Sequence, residues 1–462
     1  MPGLLDLPTE LMELVVEELI EGTSSRERDT NKAWGSSEKH NGDILHFRLV
    51  CHKTDADSLR IFCKRFMSNL EFIVTTCALE GLLALSRNST IASAVERITI
   101  LHYSLSEPGQ STGWQEDEVA KALKGFSAER RQVYTNRLRE QDFEQRYVHP
   151  NLLTRTLSKF PNCHEIYLDG IPAYKPDTWT FDNFFDAKRL IREPDIGMEL
   201  FIANQEKYKV SQKSFVEQFR MLLFAIASAG QVISSLVCLK CIVPPDAFYI
   251  PDSQARLYKP VLAHLRRLEI SLQSGHRAES LPPADSFCQF LTMTTQLEVL
   301  DLQLSYGDDK EKDLFVHRCL ELENPAWPRL AELKLRHFAG SCLSGVLQFI
   351  LRFDKSLVSL LLKRGANPIC PSGHPSITKW PDFFTSLRDG THLRCIGIQN
   401  VYTLEHRKFV YFTLPQEFSR GLEGHVSYDY DSGEWWATAS SYRGEKMHEF
   451  LTALAHGVVC TH

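Results

Sequence analysis

The sequence lacks most motifs that mark an enzyme or a nucleic-acid-binding protein. Its 462 residues contain no Gly-x-Gly-x-x-Gly loop, no Walker-type phosphate loop and no His-Glu-x-x-His pair. The 52 basic side chains are outnumbered by 58 acidic ones, so the net charge is −6 and no overall field attracts phosphates. We therefore expect a protein that is not an enzyme, uses no cofactor and does not bind nucleic acid. A catalytic triad stays open as the alternative, because its members need not be adjacent in sequence.

Met1–Asp6 lacks the basic-then-apolar order of a signal peptide, so we do not expect one. We expect the 12 cysteines to be reduced thiols in the cytoplasm or nucleus. The longest uncharged run, Met221–Leu239, has 19 residues and is nearly long enough to span a membrane. Gly230 favours instead a helix that ends near Ser228 and a strand over residues 236–241. We expect no membrane partner, with a membrane-spanning helix as the alternative.

Metal ligands with a recognisable spacing are almost absent. Cys238-x-x-Cys241 has the right spacing, but a zinc site needs a second pair of ligands and none follows. Cys370 and His374 lie in a proline-rich loop without a third ligand nearby in sequence. We therefore expect no metal, and we expect Cys241 to point into a core as a small apolar residue.

The N-terminal residues have the pattern of an amphipathic helix. Pro8 fits the first turn, where its missing N–H would be unpaired anyway. Leu11, Leu14, Val15 and Leu19 then fall on one helical face. A polar tract over residues 22–42 predicts a mobile insert, after which helical patterning resumes at residues 43–51.

Two segments carry a family resemblance. Leu7-Pro8-x-Glu10-Leu11, followed by Leu45-x-x-Arg48-Leu49-Val50-Cys51, resembles the F-box of filamentous-fungal F-box proteins. The resemblance implies a three-helix module that docks onto the Skp-type adaptor of cullin–RING ubiquitin ligases. The insert is longer than the usual linker, and Thr54 stands where an aromatic residue often occurs. The alternative is a helical cap that only covers the following domain.

The resemblance also implies which residues contact the adaptor. The apolar faces of the two helical segments would form this surface together: Leu7, Pro8, Leu11, Leu14, Val15, Leu19, Ile44, Leu45, Leu49 and Val50.

A Leu-x-x-Leu-x-Leu pattern recurs through the rest of the chain. Its clearest copies begin at Leu265, Leu297, Leu330, Leu357 and Leu393, and a weaker one begins at Leu236. Successive copies lie 27 to 36 residues apart, which is long for leucine-rich repeats of about 20–29 residues. The pattern predicts an irregular leucine-rich-repeat-like solenoid of short strands and covering helices, the latter over residues 286–292, 310–322, 343–353 and 381–387. An ordinary α/β domain with leucine-rich strands is the alternative.

The predicted fold class is therefore α/β, with an F-box-like module over residues 1–70, a repeat array over 71–400 and a capping region over 401–462. Earlier strands of the array are expected around Ile98 and Ile166. Each solenoid strand points its alternate leucines inward, so the side chains between them share the opposite surface.

In F-box proteins with leucine-rich repeats, the repeat domain captures the substrate. The resemblance therefore implies a substrate-binding surface made of the residues between the leucines: Arg267, Glu269, Asp301, Gln303, Glu332, Lys334, Arg336, Lys363 and Gln399. Its mixed charge suits recognition of a protein or peptide. We expect the substrate-recognition subunit of a cullin–RING ubiquitin ligase. The alternative function is a protein-interaction scaffold without a role in ubiquitin transfer. For each of the nine residues, the alternative is a sheet position that is only solvated and binds nothing.

Overall fold

The structure is a computed structural model that describes residues 58–102, 124–125, 127–170, 212–273, 282–305, 327–338, 343–363, 366–367, 380–399, 402–403, 408–413, 418, 422–429 and 434–460. These residues form mostly parallel strands and ten α-helices whose bounds are given below, so the α/β class is confirmed. The chain divides into two compact units, residues 1–211 with 228–231 and residues 212–227 with 232–462.

The first unit contains a parallel sheet whose strands follow chain order. Its strands are β1 (Asn69–Ile73), β2 (Arg97–His102) and β3 (Glu165–Gly170), with β2 between the other two. Its helices are α1 (Thr76–Leu85), α2 (Ser89–Ala94), α3 (Ala128–Phe143) and α4 (His149–Leu157). Two π-helical turns, Cys63–Met67 and Glu144–Val148, precede β1 and α4.

Side-chain caps fix where three of these helices begin. Thr75 accepts a hydrogen bond from the Ala78 backbone N–H, and Asn88 accepts from two backbone N–H groups of α2. Ser127 caps α3 in the same way. Such caps satisfy N–H groups that have no partner within the helix, and each stabilises its helix by about 1 kcal/mol.

The second unit contains six parallel strands in chain order. These are β4 (Ser235–Val243), β5 (Arg267–Gln273), β6 (Val299–Ser305), β7 (Glu332–Arg336), β8 (Ser359–Lys363) and β10 (Cys395–Gln399). Each strand pairs with the next, and β8 pairs directly with β10. The two-residue strand β9 (Ala366–Asn367) lies between them in sequence and pairs with a later strand instead.

Helices precede or connect these strands. They are α5 (Gln212–Ala229), α6 (Asp252–Leu262), α7 (Pro282–Thr292), α8 (Leu343–Leu351) and α9 (Trp380–Gly390), with a 3₁₀ turn over Pro245–Phe248. Parallel strands require such crossover connections, because a tight turn can join only antiparallel neighbours. The leucines of the repeated pattern, from Leu268 to Ile396, are fully or almost fully buried.

Aromatic rings fill the core of the second unit. Phe248 contacts Phe219, Phe287 and Phe290 edge-on, with centroid separations of 4.7–5.0 Å. Trp327 packs on Phe353 in a separate cluster. Edge-to-face pairs of this kind add stability beyond the area that they bury. Apolar burial therefore holds these helices against the sheet.

The parallel order ends at β14 (Glu434–Arg443), which pairs antiparallel with β10. Three further strands complete this region: β12 (Lys408–Thr413) and β13 (Leu422–Asp429) pair with β14, and β15 (Val458–Cys460) pairs with β12. The short strand β11 (Tyr402–Thr403) pairs with β9 and β12. Helix α10 (Met447–His456) packs against α9.

Several sequence-based expectations are confirmed. The uncharged run forms the end of α5, a Gly230 with φ +63° and then β4. Within the described ranges, no helix is both long and apolar enough to cross a bilayer. The strands expected around Ile98 and Ile166 are β2 and β3, and three of the expected covering helices are α7, α8 and α9. The fourth, over residues 310–322, lies outside the described residues. Strand β1 was not expected.

Candidate functional site

The nine residues predicted to bind substrate all lie on one side of the sheet in the second unit. In the strand register, Glu269 is opposite Asp301, and Asp301 is opposite Lys334. A second row, nearer the carboxyl ends of the strands, contains Gln303, Arg336, Lys363 and Gln399. Arg267 and Glu332 lie two residues before the first row on their strands. We call this side, defined by these nine residues, the polar face.

The alternation of residues along each strand explains the separation. Successive side chains point to opposite sides of a strand, so the leucines between these positions face the helices. Leu268, Leu300 and Leu333 are each 0% exposed. The polar face extends from β5 to β10, four inter-strand spacings of about 4.8 Å, so Arg267 and Gln399 lie roughly 19 Å apart across the sheet. Those two residues are not brought together.

An ion pair between Asp301 and Arg336 occupies the middle of the polar face. Arg336 Nη2 donates to Asp301 Oδ2 over 2.6 Å. The Asp301 side chain is 1% exposed, whereas the Arg336 side chain is 27% exposed. Asp301 Oδ1 and Arg336 Nε are buried without a hydrogen-bond partner among the described residues. The pair is therefore joined at one point, and both groups keep unused hydrogen-bonding capacity.

Burial dominates the electrostatics of Asp301. Removal from water raises the pKa of this carboxyl group above its ordinary value, against the opposing effect of Arg336. The neighbouring Glu269 carboxylate raises the pKa further, and Lys334 lowers it. Asp301 is therefore a partly compensated buried acid, not a surface residue.

Two further ion pairs lie beside it, each within a single strand. Arg267 Nη2 is 2.6 Å from Glu269 Oε1, and Lys334 Nζ is 2.7 Å from Glu332 Oε1. Glu269 is 5% exposed, whereas the Arg267 side chain is 48% exposed. The carboxylates of β5 and β6 thus lie inward, and their cationic partners lie nearer the solvent.

The part of the polar face over β8 and β10 differs in chemistry. Lys363 is half-buried and, in the described part of the chain, has no ion pair. Leu361 is opposite Lys334 on one side and Gly397 on the other. A Cβ atom on Gly397 would lie only 2.8 Å from Leu361 Cδ1, so the leucine side chain extends over the glycine. Sequence reasoning missed Leu361 and Gly397, although strand alternation from Lys363 identifies Leu361 and alternation from Gln399 identifies Gly397.

Metal ligands do not converge in the described residues: no group of three His, Cys, Asp or Glu side chains is placed to hold an ion there. Cys238 is fully buried in β4. The side chain of Cys241 lies outside the described residues, as do Cys370 and His374. The expected inward position of Cys241 therefore stays a prediction.

The predicted adaptor-binding surface also lies outside the described residues, which begin at residue 58. This applies to all ten of its members, from Leu7 to Val50, and to the insert over residues 22–42. Sequence reasoning also overlooked Gly109-Gln110-Ser111-Thr112-Gly113, which has the letter pattern of a nucleophile elbow. It falls within residues 103–123, outside the described ranges, and we assign no role to Ser111.

Comparisons with known proteins supply no family for the chain. No protein-family model matches the sequence, and a search of curated proteins finds no significant match.

Proposed function

We propose that this chain is the substrate-recognition subunit of a cullin–RING ubiquitin ligase. In this proposal an F-box-like module near the N-terminus binds the Skp-type adaptor, and the polar face binds the substrate protein. The observation that carries the substrate-binding part is the continuous row of polar and charged side chains on the strands of the second unit. The adaptor-binding part depends on the F-box resemblance of the sequence alone.

We also propose that the second unit is an irregular leucine-rich-repeat-like solenoid. Its strands are parallel and follow chain order, and helices lie between them wherever the connection is within the described residues, as expected for stacked repeats. A solenoid presents one long surface of strand side chains, and this surface suits an extended protein segment better than a small molecule. Ubiquitin transfer would then follow from proximity, because the receptor raises the local concentration of its target.

The test is adaptor capture by the full chain. Leu11→Asp puts a charge on the proposed contact surface, and a charge that is desolvated at an interface is costly. We expect the parent chain to capture the Skp-type adaptor and Leu11→Asp to lose this capture. Ser25→Asp adds the same charge within the polar insert and is the matched control, with unchanged capture expected. Circular dichroism of all three proteins checks that the folded content is equal.

Two results would contradict the proposal. Equal capture by Leu11→Asp and the parent would show that the predicted surface does not bind the adaptor. Failure of the parent chain to bind would remove the ubiquitin-ligase role and leave the scaffold interpretation, in which the N-terminal helices cover the following domain.

A further inference from the structure

We propose that the carboxyl ends of β7 and β8 bind an acidic side chain, Asp or Glu, of the protein partner. The site consists of Arg336 and Lys363, with the Gln399 amide beside them. This inference deepens the proposed function, because it assigns a substrate chemistry to the polar face and depends on that face being a binding surface.

Two cationic side chains lie side by side at the carboxyl ends of β7 and β8. Arg336 and Lys363 are opposite each other in the register of β7 and β8, and neighbouring strands lie about 4.8 Å apart. The His337 backbone N–H donates to the Lys363 carbonyl oxygen over 2.7 Å, which ties the two strand ends together. His337 adopts φ +56° there. Gln399 is opposite Lys363 on the other side, so three hydrogen-bond donors lie in one row.

The charges of the nine polar-face residues do not balance. Of the seven charged residues on the polar face, six form three ion pairs, and Lys363 has no carboxylate partner in the described part of the chain. The face therefore carries one excess positive charge, although the whole chain has a net charge of −6. The most buried carboxylates, Glu269 and Asp301, are already met by arginines and do not cancel this charge.

Arg336 has hydrogen-bond donors that Asp301 does not use. A guanidinium group has five N–H donors, and Arg336 uses one nitrogen, Nη2, for Asp301. Its side chain is still 27% exposed. Arg336 can therefore hold Asp301 and a second acceptor at once, while the Lys363 ammonium group supplies the compensating charge.

The single excess positive charge favours a carboxylate over a phosphate as the group that binds at Arg336 and Lys363. A phosphorylated side chain carries about −1.5 to −2 charge and is usually met by a cluster of arginines. Here one ammonium group is uncompensated and the guanidinium group is shared with Asp301. A single carboxylate with one negative charge matches this site, so we infer an acidic segment that is not phosphorylated.

The test measures peptide binding to the full chain by fluorescence anisotropy. The probe is a short labelled peptide of alternating Glu and Gly, compared with versions that carry Gln, Lys or phosphoserine in place of Glu. We expect the Glu peptide to bind more tightly than the Gln and Lys peptides and to weaken as salt rises from about 0.03 to 0.3 M. We expect Lys363→Gln to weaken its binding about threefold, and Lys363→Glu about tenfold or more.

Arg443→Gln is the matched control. Arg443 is exposed on β14, opposite Cys395 at the amino end of β10, and is not one of the nine residues of the polar face, yet its loss removes the same unit of charge. We expect less than a twofold change in Glu-peptide binding for this variant. An equal effect of Lys363→Gln and Arg443→Gln would contradict a site at Lys363 and indicate only a diffuse field.

Other outcomes also decide the question. Equal binding of the Glu and Gln peptides would overturn the proposal, and tighter binding of the phosphoserine peptide by tenfold or more would overturn the choice of carboxylate. Adaptor capture on the same preparations separates the two claims. Capture without Glu-peptide binding would refute this inference alone, whereas peptide binding without capture would refute the ligase role and leave the acidic site standing.

Discussion

Arg336→Met should destabilise the second unit because it leaves the Asp301 carboxylate buried without its cation. Methionine keeps much of the aliphatic volume of arginine but cannot donate to Asp301 Oδ2, which Arg336 reaches over 2.6 Å. The Asp301 side chain is 1% exposed, so water cannot replace the lost partner without local opening. The Asp301 carboxyl group avoids an unpaired buried charge by binding a proton, so its pKa rises further above the ordinary value.

The loss of folding free energy in Arg336→Met cannot exceed the cost of protonating Asp301. In the unfolded chain Asp301 titrates near its ordinary value of 3.8, about three units below pH 7. Each unit corresponds to about 1.4 kcal/mol, so keeping Asp301 protonated at pH 7 costs at most about 4 kcal/mol. At pH 5 the same ceiling is about 1.6 kcal/mol. Because burial already raises the pKa in the parent, we expect Arg336→Met to cost about 2–4 kcal/mol at pH 7 and distinctly less at pH 5.

Urea denaturation at both pH values measures this difference. Unfolding is detected by the fluorescence of the tryptophans, which include the buried Trp327 and Trp380. The double variant Asp301→Leu with Arg336→Met removes both charges, and its free energy of unfolding should be within about 1 kcal/mol of the parent's. Lys334→Met is the control, since it breaks a more exposed pair and should cost less than about 1 kcal/mol. A cost for Arg336→Met that is below about 0.5 kcal/mol at pH 7, or that is equal at both pH values, would refute the reasoning.

Two further predictions concern the cores of the two units. Burial lowers the pKa of His149 from its ordinary value of 6.5, although the nearby Glu144 carboxylate raises it. Below about pH 6.5 the unfolded chain therefore binds a proton at His149 that the folded chain does not, so the free energy of unfolding should fall as the pH drops. His149→Leu should reduce this pH dependence in urea denaturation measured at several pH values. An unchanged pH slope in that variant would contradict the assignment. Phe248→Ala removes the ring at the centre of three edge-on contacts and should cost about 3–5 kcal/mol in urea denaturation. The exposed neighbour provides the control, since Tyr249→Ala should cost less than about 1 kcal/mol, and similar costs for both would refute the packing argument.

The parallel strands of the second unit could be predicted because their pattern is local. Leu268, Leu300 and Leu333 recur at the same place in Leu-x-x-Leu-x-Leu, and each faces the helices. The same alternation predicted which charged residues share the polar face, and the register confirms that placement. Their role in binding stays a prediction.

Other features depend on contacts between residues that are far apart in sequence. Asp301 was expected to lie on an accessible surface, yet it is almost fully buried beside an arginine 35 positions later. Nothing in the Leu-Asp-Leu sequence of β6 signals this burial. Strand β1 was missed because its sequence, Asn-Leu-Glu-Phe-Ile, does not contain the Leu-x-x-Leu-x-Leu pattern on which the later strands were predicted. The antiparallel pairing of β14 with β10 was missed because a strand's direction in a sheet is set by its connections.

Hydrogen exchange of the full chain, with and without the Skp-type adaptor, tests most directly whether the N-terminal segments, and not the strands of the second unit, bind the adaptor. The account predicts that adaptor binding protects amides over residues 7–19 and 44–50 and leaves exchange in strands β5 to β10 unchanged. Protection centred on those strands, or no protection in the N-terminal segments at saturating adaptor, would contradict it.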